Sequence, residues 1–423
     1  MTRGAMFPAL VLTFGLVSGS HLIAADQPDT CSACHAALPD ARLKAPVTLF
    51  ADDIHRARGF GCAACHGGDP RERGVEAMNP ARGYLGVPAR EITPQVCARC
   101  HADAQFMRRY NPALRVDQLA EYETSVHGRR LRGERDPKVA TCTSCHSPHS
   151  IRPASDPRST VHPLRVVDTC SRCHGDAKLM ASYGIPTDQP AKYKASIHWQ
   201  KLTAGGDLSA PTCNDCHGNH GAAPPGVNWV GNVCGQCHSV MAERFALSRH
   251  AAVFAEMGTP GCATCHGNHD VLEGNDRMLG IGEGGFCGTC HAADDPGGKA
   301  ADGMRSLLDR LVRAHDDSLA LLVRAERSGM EVSQARFDLT AAADALVKAR
   351  ADLHSFNPDI VQKTVAEGIA ITERTHARGV RALDELAFRR KGLAVSLLLI
   401  GAVIGGLVLK IREIERRQNR EQS

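Results

Sequence analysis

Cysteine and histidine recur along this chain at one fixed spacing. Its 18 cysteines all fall into pairs of the form C-x-x-C, and a histidine follows every pair directly. Two thiols at this spacing can add to the two vinyl groups of a haem while the adjacent imidazole binds the iron, so C-x-x-C-H is the attachment signal for haem c. Zinc knuckles, disulfides and redox dithiols need no histidine after every second cysteine. The sequence therefore predicts nine covalently bound haems.

The residues that would hold these haems follow directly from the motifs. The predicted thioether bonds are made by Cys31, Cys34, Cys62, Cys65, Cys97, Cys100, Cys142, Cys145, Cys170, Cys173, Cys213, Cys216, Cys234, Cys237, Cys262, Cys265, Cys287 and Cys290. The predicted proximal iron ligands are His35, His66, His101, His146, His174, His217, His238, His266 and His291. No residue is predicted to be catalytic.

A second set of histidines could bind the opposite face of each iron. Outside the motifs the haem region offers His55, His127, His149, His162, His198, His220, His250 and His269. The pattern S-x-H holds for His127, His198 and His250, and the pattern C-H-x-x-H ends in His149, His220 and His269. A histidine about one helical turn after the proximal one cannot reach the far face of the same haem. We therefore expect the C-H-x-x-H histidines to bind neighbouring irons; the alternative is a surface or propionate-binding role.

The supply of ligands is one short of the number of haems. Nine haems have only eight of these spare histidines, so the last ligand must come from elsewhere, be a methionine, or be missing. His354 ends the second helix predicted after the haem region. If that helix folds back on the first, His354 returns close to the Cys287 haem. We favour His354 as the ninth ligand, with His315 as the alternative.

The haem region contains an internal repeat. The unit that begins at the third motif recurs from the fifth, and a shortened copy begins at the seventh. Such a period indicates duplication of a two-haem module. The opening segment is a degenerate copy, with Asp69 where the second histidine of C-H-x-x-H would stand. Met107 and Met180 recur in equivalent places and are expected to pack against haem faces, because methionine fills irregular gaps.

The composition changes along the chain and predicts five parts. Residues 1–25 have the charged start, apolar run and small-residue exit of a signal peptide. Residues 26–297 form the predicted nonahaem domain, which is irregular and helical with little strand. Residues 298–390 form the predicted α-helical three-helix stalk. Its second helix, residues 331–356, carries a heptad seam of apolar residues at steps of four and three: Ala335, Leu339, Ala342, Leu346, Ala349, Leu353 and Phe356. Residues 391–410 are predicted to span the membrane, and residues 411–423 form a cytoplasmic tail because the stronger basic flank lies there.

The net charge of the polypeptide does not describe the protein with its haems attached. The formal net charge is +4 without haems, and two propionates on each haem would make the holoprotein acidic. The charge is therefore no argument for nucleic acid binding. With 4 % aromatic residues, the porphyrins must supply much of the buried apolar surface, so we expect the haem region to remain unfolded without haem.

The doubled C-x-x-C-H modules, with their S-x-H and C-H-x-x-H histidines, resemble the multihaem c-type cytochromes of respiratory bacteria over about residues 28–292. They are also distantly similar to the octahaem group of hydroxylamine-, nitrite- and tetrathionate-active enzymes. The resemblance implies bis-histidine haems in close pairs and electron transfer. The catalytic group typically has one haem with a lysine in place of histidine, whereas all nine motifs of this chain end in histidine.

These features together predict an electron carrier rather than an enzyme. We expect a single-pass protein of the inner membrane with its haem domain in the periplasm. Its partners would be a quinol-oxidising membrane protein and soluble or outer-membrane cytochromes of anaerobic respiration. The alternative is a reductase of a small nitrogen or sulfur oxyanion at one haem with an open coordination position.

Overall fold

The computed structural model describes residues 29–225 and 230–421, and within these ranges every regular element is a helix. The predicted fold class is thereby confirmed. The predicted signal peptide lies outside the described residues. The chain divides into two compact units: the first holds residues up to Thr187 together with Leu202–Ala223, and the second holds Asp188–Lys201 and the residues from Pro224 onward. This division does not coincide with the boundary expected after residue 297, which stays a prediction.

The haem-binding part of the first unit consists of short helices joined by irregular segments. Its α-helices are Thr30–Ala37, Ala41–Phe50, Ile54–Ala57, Ala63–His66, Thr93–His101, Ala104–Met107, Gln118–Thr124, Val126–Arg129, Cys142–Cys145, Pro163–His174, Ala177–Ala181 and Cys213–His217. Single turns of other helix types are Val75–Met78, Pro80–Arg82 and Arg130–Glu134.

The second unit combines short helices of the same kind with three long ones. The short α-helices are Gln189–Ala195, Val230–Gly235, Ser239–Ala246, Arg249–Glu256 and Gly261–His266, and the 3-10 turns are Asp276–Met278, Cys287–Thr289 and Leu353–Ser355. The helix Ile197–Thr203 crosses the division between the units. The long helices, which we call the first, second and third stalk helix, are Pro296–Arg327, Ser333–Asp352 and Pro358–Glu421.

Two motif helices begin at residues that suit helix N-termini. Thr141 precedes Cys142–Cys145 and Thr212 precedes Cys213–His217, and each closes a capping box with the third helical residue, Ser144 or Asp215. A capping box satisfies two backbone donors that a helix N-terminus leaves unpaired. The local sequence of these motifs therefore favours a helical turn at the attachment positions.

The chain reverses directly after several motifs. Gly218 and Gly267 follow their motif histidines with φ of 87° and 77°, a left-handed conformation that glycine adopts without a Cβ clash. Ser147 takes the equivalent place with φ 42°, and His149 itself has φ 66°. The C-H-x-x-H segment is therefore a turn and not the helical continuation that the spacing argument assumed. The turn carries the second histidine away from the helix of the first.

The first unit has only a small apolar core. Its buried apolar side chains include Met107, Leu131, Val166, Val167 and Met180. Most helices here have only one or two turns and so offer short apolar faces. Met107 and Met180 are buried, and their packing against haem faces stays a prediction.

The three stalk helices pack in an up-down-up arrangement. Near its start the first stalk helix buries Leu308 and Leu311 against Ala349 of the second and Val361 of the third. Near its end, apolar residues of the first stalk helix pack against the beginning of the second stalk helix, where Leu339 is buried. The predicted heptad seam is buried at four positions, Ala335, Leu339, Ala342 and Ala349. The periodicity argument was therefore correct for this segment.

The third stalk helix continues into a candidate membrane span. Its most apolar window has a mean hydropathy of 2.5 and is not buried by any part of the described chain. Apolar side chains such as Leu398 and Leu399 are 75 % and 65 % exposed. Exposed leucines in a long uncharged helix are expected where lipid is the surrounding solvent.

Candidate haem centres

The proximal histidines are oriented by their Nδ1 atoms. Nδ1 of His66 lies 2.7 Å from the carbonyl oxygen of Gly86, and Nδ1 of His35 lies 3.3 Å from that of Leu43. A carbonyl oxygen can only accept a hydrogen bond, so each ring carries its proton on Nδ1 and keeps the Nε2 lone pair for a metal. Nδ1 contacts to oxygen acceptors are also made by His217, His291 and His354.

In the first unit, four motif histidines face a second imidazole. The ring centres are 5.8 Å apart for His66 and His149, 6.0 Å for His101 and His55, 6.2 Å for His146 and His220, and 6.1 Å for His174 and His127. Two imidazoles bound through nitrogen to one metal, with bonds of about 2 Å each, have ring centres roughly 6 Å apart. The residues present therefore fit an iron held on both faces.

In the second unit, three motif histidines are paired in the same way. The ring centres are 6.4 Å apart for His238 and His198, 6.2 Å for His266 and His354, and 6.1 Å for His291 and His250. His354 was expected beside the Cys287 haem, but its ring faces the histidine of the preceding motif. The Arg244 guanidinium, 3.1 Å from buried Asp352, holds the end of the second stalk helix against Ser239–Ala246 and thereby fixes this position.

The pairing obeys one rule along the chain. A histidine of the S-x-H type faces the second motif that follows it: His127 faces His174, although the motif of His146 comes first. A histidine that ends C-H-x-x-H faces the motif two before its own, as His149 does with His66. The spare histidines of each module therefore face motif histidines of neighbouring modules.

The same backbone hydrogen bond recurs at three places where an S-x-H-type histidine lies near a C-H-x-x-H histidine. The residue before the S-x-H histidine donates its N–H to the carbonyl two residues after a C-H-x-x-H histidine. The three bonds are Ile54 N to Ile151 O at 2.8 Å, Val126 N to Ala222 O at 3.0 Å, and Ile197 N to Val271 O at 3.0 Å. In each repeat the same hydrogen bond therefore holds the S-x-H-type histidine beside the C-H-x-x-H histidine.

The structure explains why serine precedes these histidines. Ser125 and Ser248 are N-caps whose side chains accept from backbone N–H groups, and the histidine stands at the second position of the capped helix. Both serines are buried. His55 belongs to the same class, because Asp53 caps its helix in the serine position. Asp53 is not among the residues predicted from sequence, although D-I-H aligns with S-V-H and thereby points to it.

Asp53 does more than cap a helix. Its carboxylate is 2 % exposed and accepts from Nδ1 of His55 at 2.9 Å and from the N–H of Ile151 at 2.7 Å. Burial alone would raise the pKa of the carboxyl group, but these hydrogen bonds outweigh burial and hold the pKa below its ordinary value. A charged acceptor on Nδ1 makes Nε2 a stronger donor to a metal.

The thiols of successive motifs lie close together within each unit. The thiols of Cys97 and Cys142, of Cys170 and Cys213, and of Cys234 and Cys262 lie near enough to shift each other's pKa by direct interaction. Weaker Coulombic effects link Cys31 with Cys62, Cys65 with Cys97, Cys145 with Cys170, and Cys265 with Cys287. The attachment positions therefore follow one another in chain order, six in the first unit and three in the second.

Burial keeps the facing imidazoles in the form that binds metals. It lowers the pKa of His101, His127, His146, His149, His174, His198, His220, His250 and His266. A lowered histidine pKa favours the neutral ring, and only the neutral ring has a free lone pair.

The remaining predicted ligands differ in their surroundings. His162 is 4 % exposed, and its Nδ1 accepts from the N–H of Leu164 at 3.2 Å. No other ring of the described residues contacts it, so its ligand role stays a prediction without a facing imidazole. His315 contacts Asp316 within the first stalk helix. His217 belongs to the first unit and His269 to the second.

Comparison with known proteins agrees with the geometry. Residues 54–175 match the cytochrome c3 family, a segment that includes four of the motifs and less than half of the chain. The match supports a multihaem c-type cytochrome with covalently bound haem c. No curated protein and no solved structure is significantly similar to the chain.

Proposed function

We propose that this protein is a membrane-anchored periplasmic nonahaem cytochrome c. It would carry electrons from a quinol-oxidising membrane partner to soluble or outer-membrane cytochromes in anaerobic respiration. The observation that carries the proposal is the set of facing imidazoles, with ring centres 5.8–6.4 Å apart. Two imidazoles on one iron leave no position for a substrate, which suits electron transfer rather than chemical conversion.

The side chains supply what a haem-based carrier needs. Haem c, when attached, provides an iron that gains or loses one electron, and bis-histidine ligation gives lower potentials than His/Met ligation. The cysteines would hold each haem to the backbone through thioether bonds. The facing histidines would bind its iron, and Nδ1 contacts orient several of these rings. The contacts between successive motifs, such as that of Cys97 with Cys142, keep neighbouring attachment positions close.

The third stalk helix supports the membrane anchor. Its uncharged segment is followed by Lys410, Arg412, Arg416 and Arg417. Basic residues are retained on the cytoplasmic side, which would leave the haem units in the periplasm. Export of the chain by the predicted signal peptide is part of the same proposal, because haem c is attached outside the cytoplasm.

Protein-film voltammetry of the purified full-length protein tests the carrier role. We expect reversible signals whose integrated charge corresponds to nine electrons per chain, unchanged by added nitrite, hydroxylamine or tetrathionate. Electron transfer alone gives no net turnover of these compounds. A sustained catalytic current with any of them would favour the reductase and overturn the carrier proposal.

A variant that lacks one central haem provides the control. Cys97→Ala/Cys100→Ala should reduce the integrated charge by one electron and slow the exchange of electrons with the electrode. An unchanged charge would show that this motif does not attach a haem.

A further inference from the structure

We infer that the haem attached through Cys31 and Cys34 has an open sixth position, and that this position binds a small uncharged ligand such as nitric oxide or carbon monoxide. The inference rests on the proposed function only for the attachment of haems. It assigns a ligand-binding site that electron transfer does not require.

His35 has a free Nε2 for iron but faces no second imidazole among residues 29–225 and 230–421. Its Nδ1 lies 3.3 Å from the carbonyl oxygen of Leu43, which leaves Nε2 for the metal. Among the described residues no other aromatic or imidazole ring contacts it. Seven other motif histidines each face a ring at 5.8–6.4 Å. His21, the one histidine that precedes this motif, belongs to the predicted signal peptide.

The pairing rule explains why the first motif is left without a partner. Spare histidines of the S-x-H type face the second motif that follows them, so the partner of His35 would have to precede a motif before the first. The given sequence contains no C-x-x-C-H motif before Cys31. The C-H-x-x-H position after the second motif is Asp69, which forms an ion pair with Arg82 at 2.9 Å. By the same rule, a histidine at that place would face a motif before the first.

The other end of the repeat has a replacement for its missing module. By the rule, the ring facing His266 would belong to a C-H-x-x-H segment after a tenth motif. His354 of the stalk faces His266 instead. Two residues later, Phe356 contacts His250 with ring centres 4.0 Å apart. The turn after the second stalk helix thus imitates a C-H-x-x-H segment and closes the repeat. Nothing comparable stands opposite His35 in the described residues.

His162 does not supply the missing ligand. Its Nδ1 accepts a hydrogen bond from the N–H of Leu164, so its proton is on Nε2 and that nitrogen has no free lone pair. It fits neither histidine pattern. It is also the one buried residue among the predicted second ligands, whereas the others are half-buried.

The local charge selects the class of ligand. The carboxylate of Asp29 accepts from the hydroxyl of Ser32 and lies 3.6 Å from Sγ of Cys62. A negative field next to the motif disfavours nitrite and other anions. Uncharged diatomic molecules that bind ferrous iron do not carry this cost.

Carbon monoxide titration of the reduced full-length holoprotein tests the inference. We expect one carbon monoxide bound per nine haems, and one high-spin ferric signal by electron paramagnetic resonance. Cys31→Ala/Cys34→Ala should abolish both. His149→Ala, which removes the ring facing His66, should raise the wild-type uptake about twofold.

His162→Asn is the matched control, because asparagine is also a good N-cap for the helix that begins at Pro163. It should leave the uptake at one. A wild-type protein that binds no carbon monoxide and is wholly low-spin would overturn the inference, as would an uptake of two in His162→Asn. Neither result would alter the voltammetric charge, so the inference and the carrier role fail separately.

Discussion

At the scale of single residues, Asp53 distinguishes one haem centre from the others. Ser125, Ser196 and Ser248 accept from the backbone at the start of the three other helices of this kind. Only His55 has a carboxylate on its Nδ1 among the described S-x-H-type histidines. A charged acceptor stabilises the ferric iron more than the ferrous iron because it strengthens electron donation from Nε2. The haem of Cys97 and His101 is therefore expected to have a lower potential than an otherwise equal centre.

Replacing Asp53 by serine should raise the midpoint potential of one haem. Serine keeps the N-cap and removes the charge, so the helix that carries His55 is retained. We expect a shift of about 60 mV, a tenfold change for one electron. Spectroelectrochemical titration of Asp53→Ser and wild type measures it.

Asp69→Ser is the matched control for that prediction. Asp69 is a carboxylate of the same unit that pairs with Arg82 and touches no imidazole. Its removal should leave all potentials unchanged. Equal shifts in both variants would mean that the general field, and not the hydrogen bond to His55, sets the potential.

Residue types and spacing predicted the attachment residues and the patterns of spare histidines, because each reports a local chemical requirement. They could not predict which ring faces which. That pairing depends on the turn after each motif, where Ser147 and His149 have positive φ, and on contacts between residues far apart in sequence. His149 does not continue the helix of its motif, so the helical spacing assumed for it was wrong. That His149 binds a different haem from His146 stays a prediction, which the facing ring of His66 supports.

At the scale of elements, the turn between the second and third stalk helices carries His354 to a position opposite His266. His354→Ala should open the Cys262 haem and raise carbon monoxide uptake by one per chain. His315→Ala, in the first stalk helix, should leave the uptake unchanged because its ring contacts Asp316 and no motif histidine. An effect of His315→Ala equal to that of His354→Ala would contradict the position given to His354.

Asp352 holds this turn in place. Its buried carboxylate accepts from Thr364 Oγ1 at 2.7 Å and lies 3.1 Å from Nε of Arg244. Asp352→Ala should lower the free energy of unfolding by about 1–3 kcal/mol, because it leaves buried partners unsatisfied. Denaturant titration followed by haem absorbance measures the loss.

Asp338→Ala provides the comparison. Asp338 pairs with Arg378 on the stalk surface, where both side chains are at least a third exposed. Exposed ion pairs contribute about 0–1 kcal/mol, so this variant should stay near the wild-type stability. A larger loss for Asp338→Ala than for Asp352→Ala would refute the anchoring role of the turn.

Periodicity predicted the stalk helices well, because a repeating apolar face is a local property of the sequence. The same periodicity predicted that His354 lies near the haem motifs, but it pointed to the Cys287 motif, whereas His354 faces His266. The exact register depends on the Arg244 contact and on the turn at Leu353–Ser355, which no spacing rule encodes.

At the scale of the whole molecule, two sources of apolar burial differ in their need for haem. The stalk has its own clusters of buried leucine, valine and alanine, whereas the first unit has few buried apolar side chains. Protein made without haem attachment should therefore be cut rapidly by protease in the haem region while the stalk stays protected. Equal protection of both parts would contradict the view that haems complete the core.

The most direct test of the central claim is the intact mass of the purified native protein. We predict the mass of the polypeptide without its signal peptide plus nine covalently bound haems. A mass that accounts for far fewer haems would mean that the paired imidazoles do not enclose irons, and would contradict the function proposed for this chain.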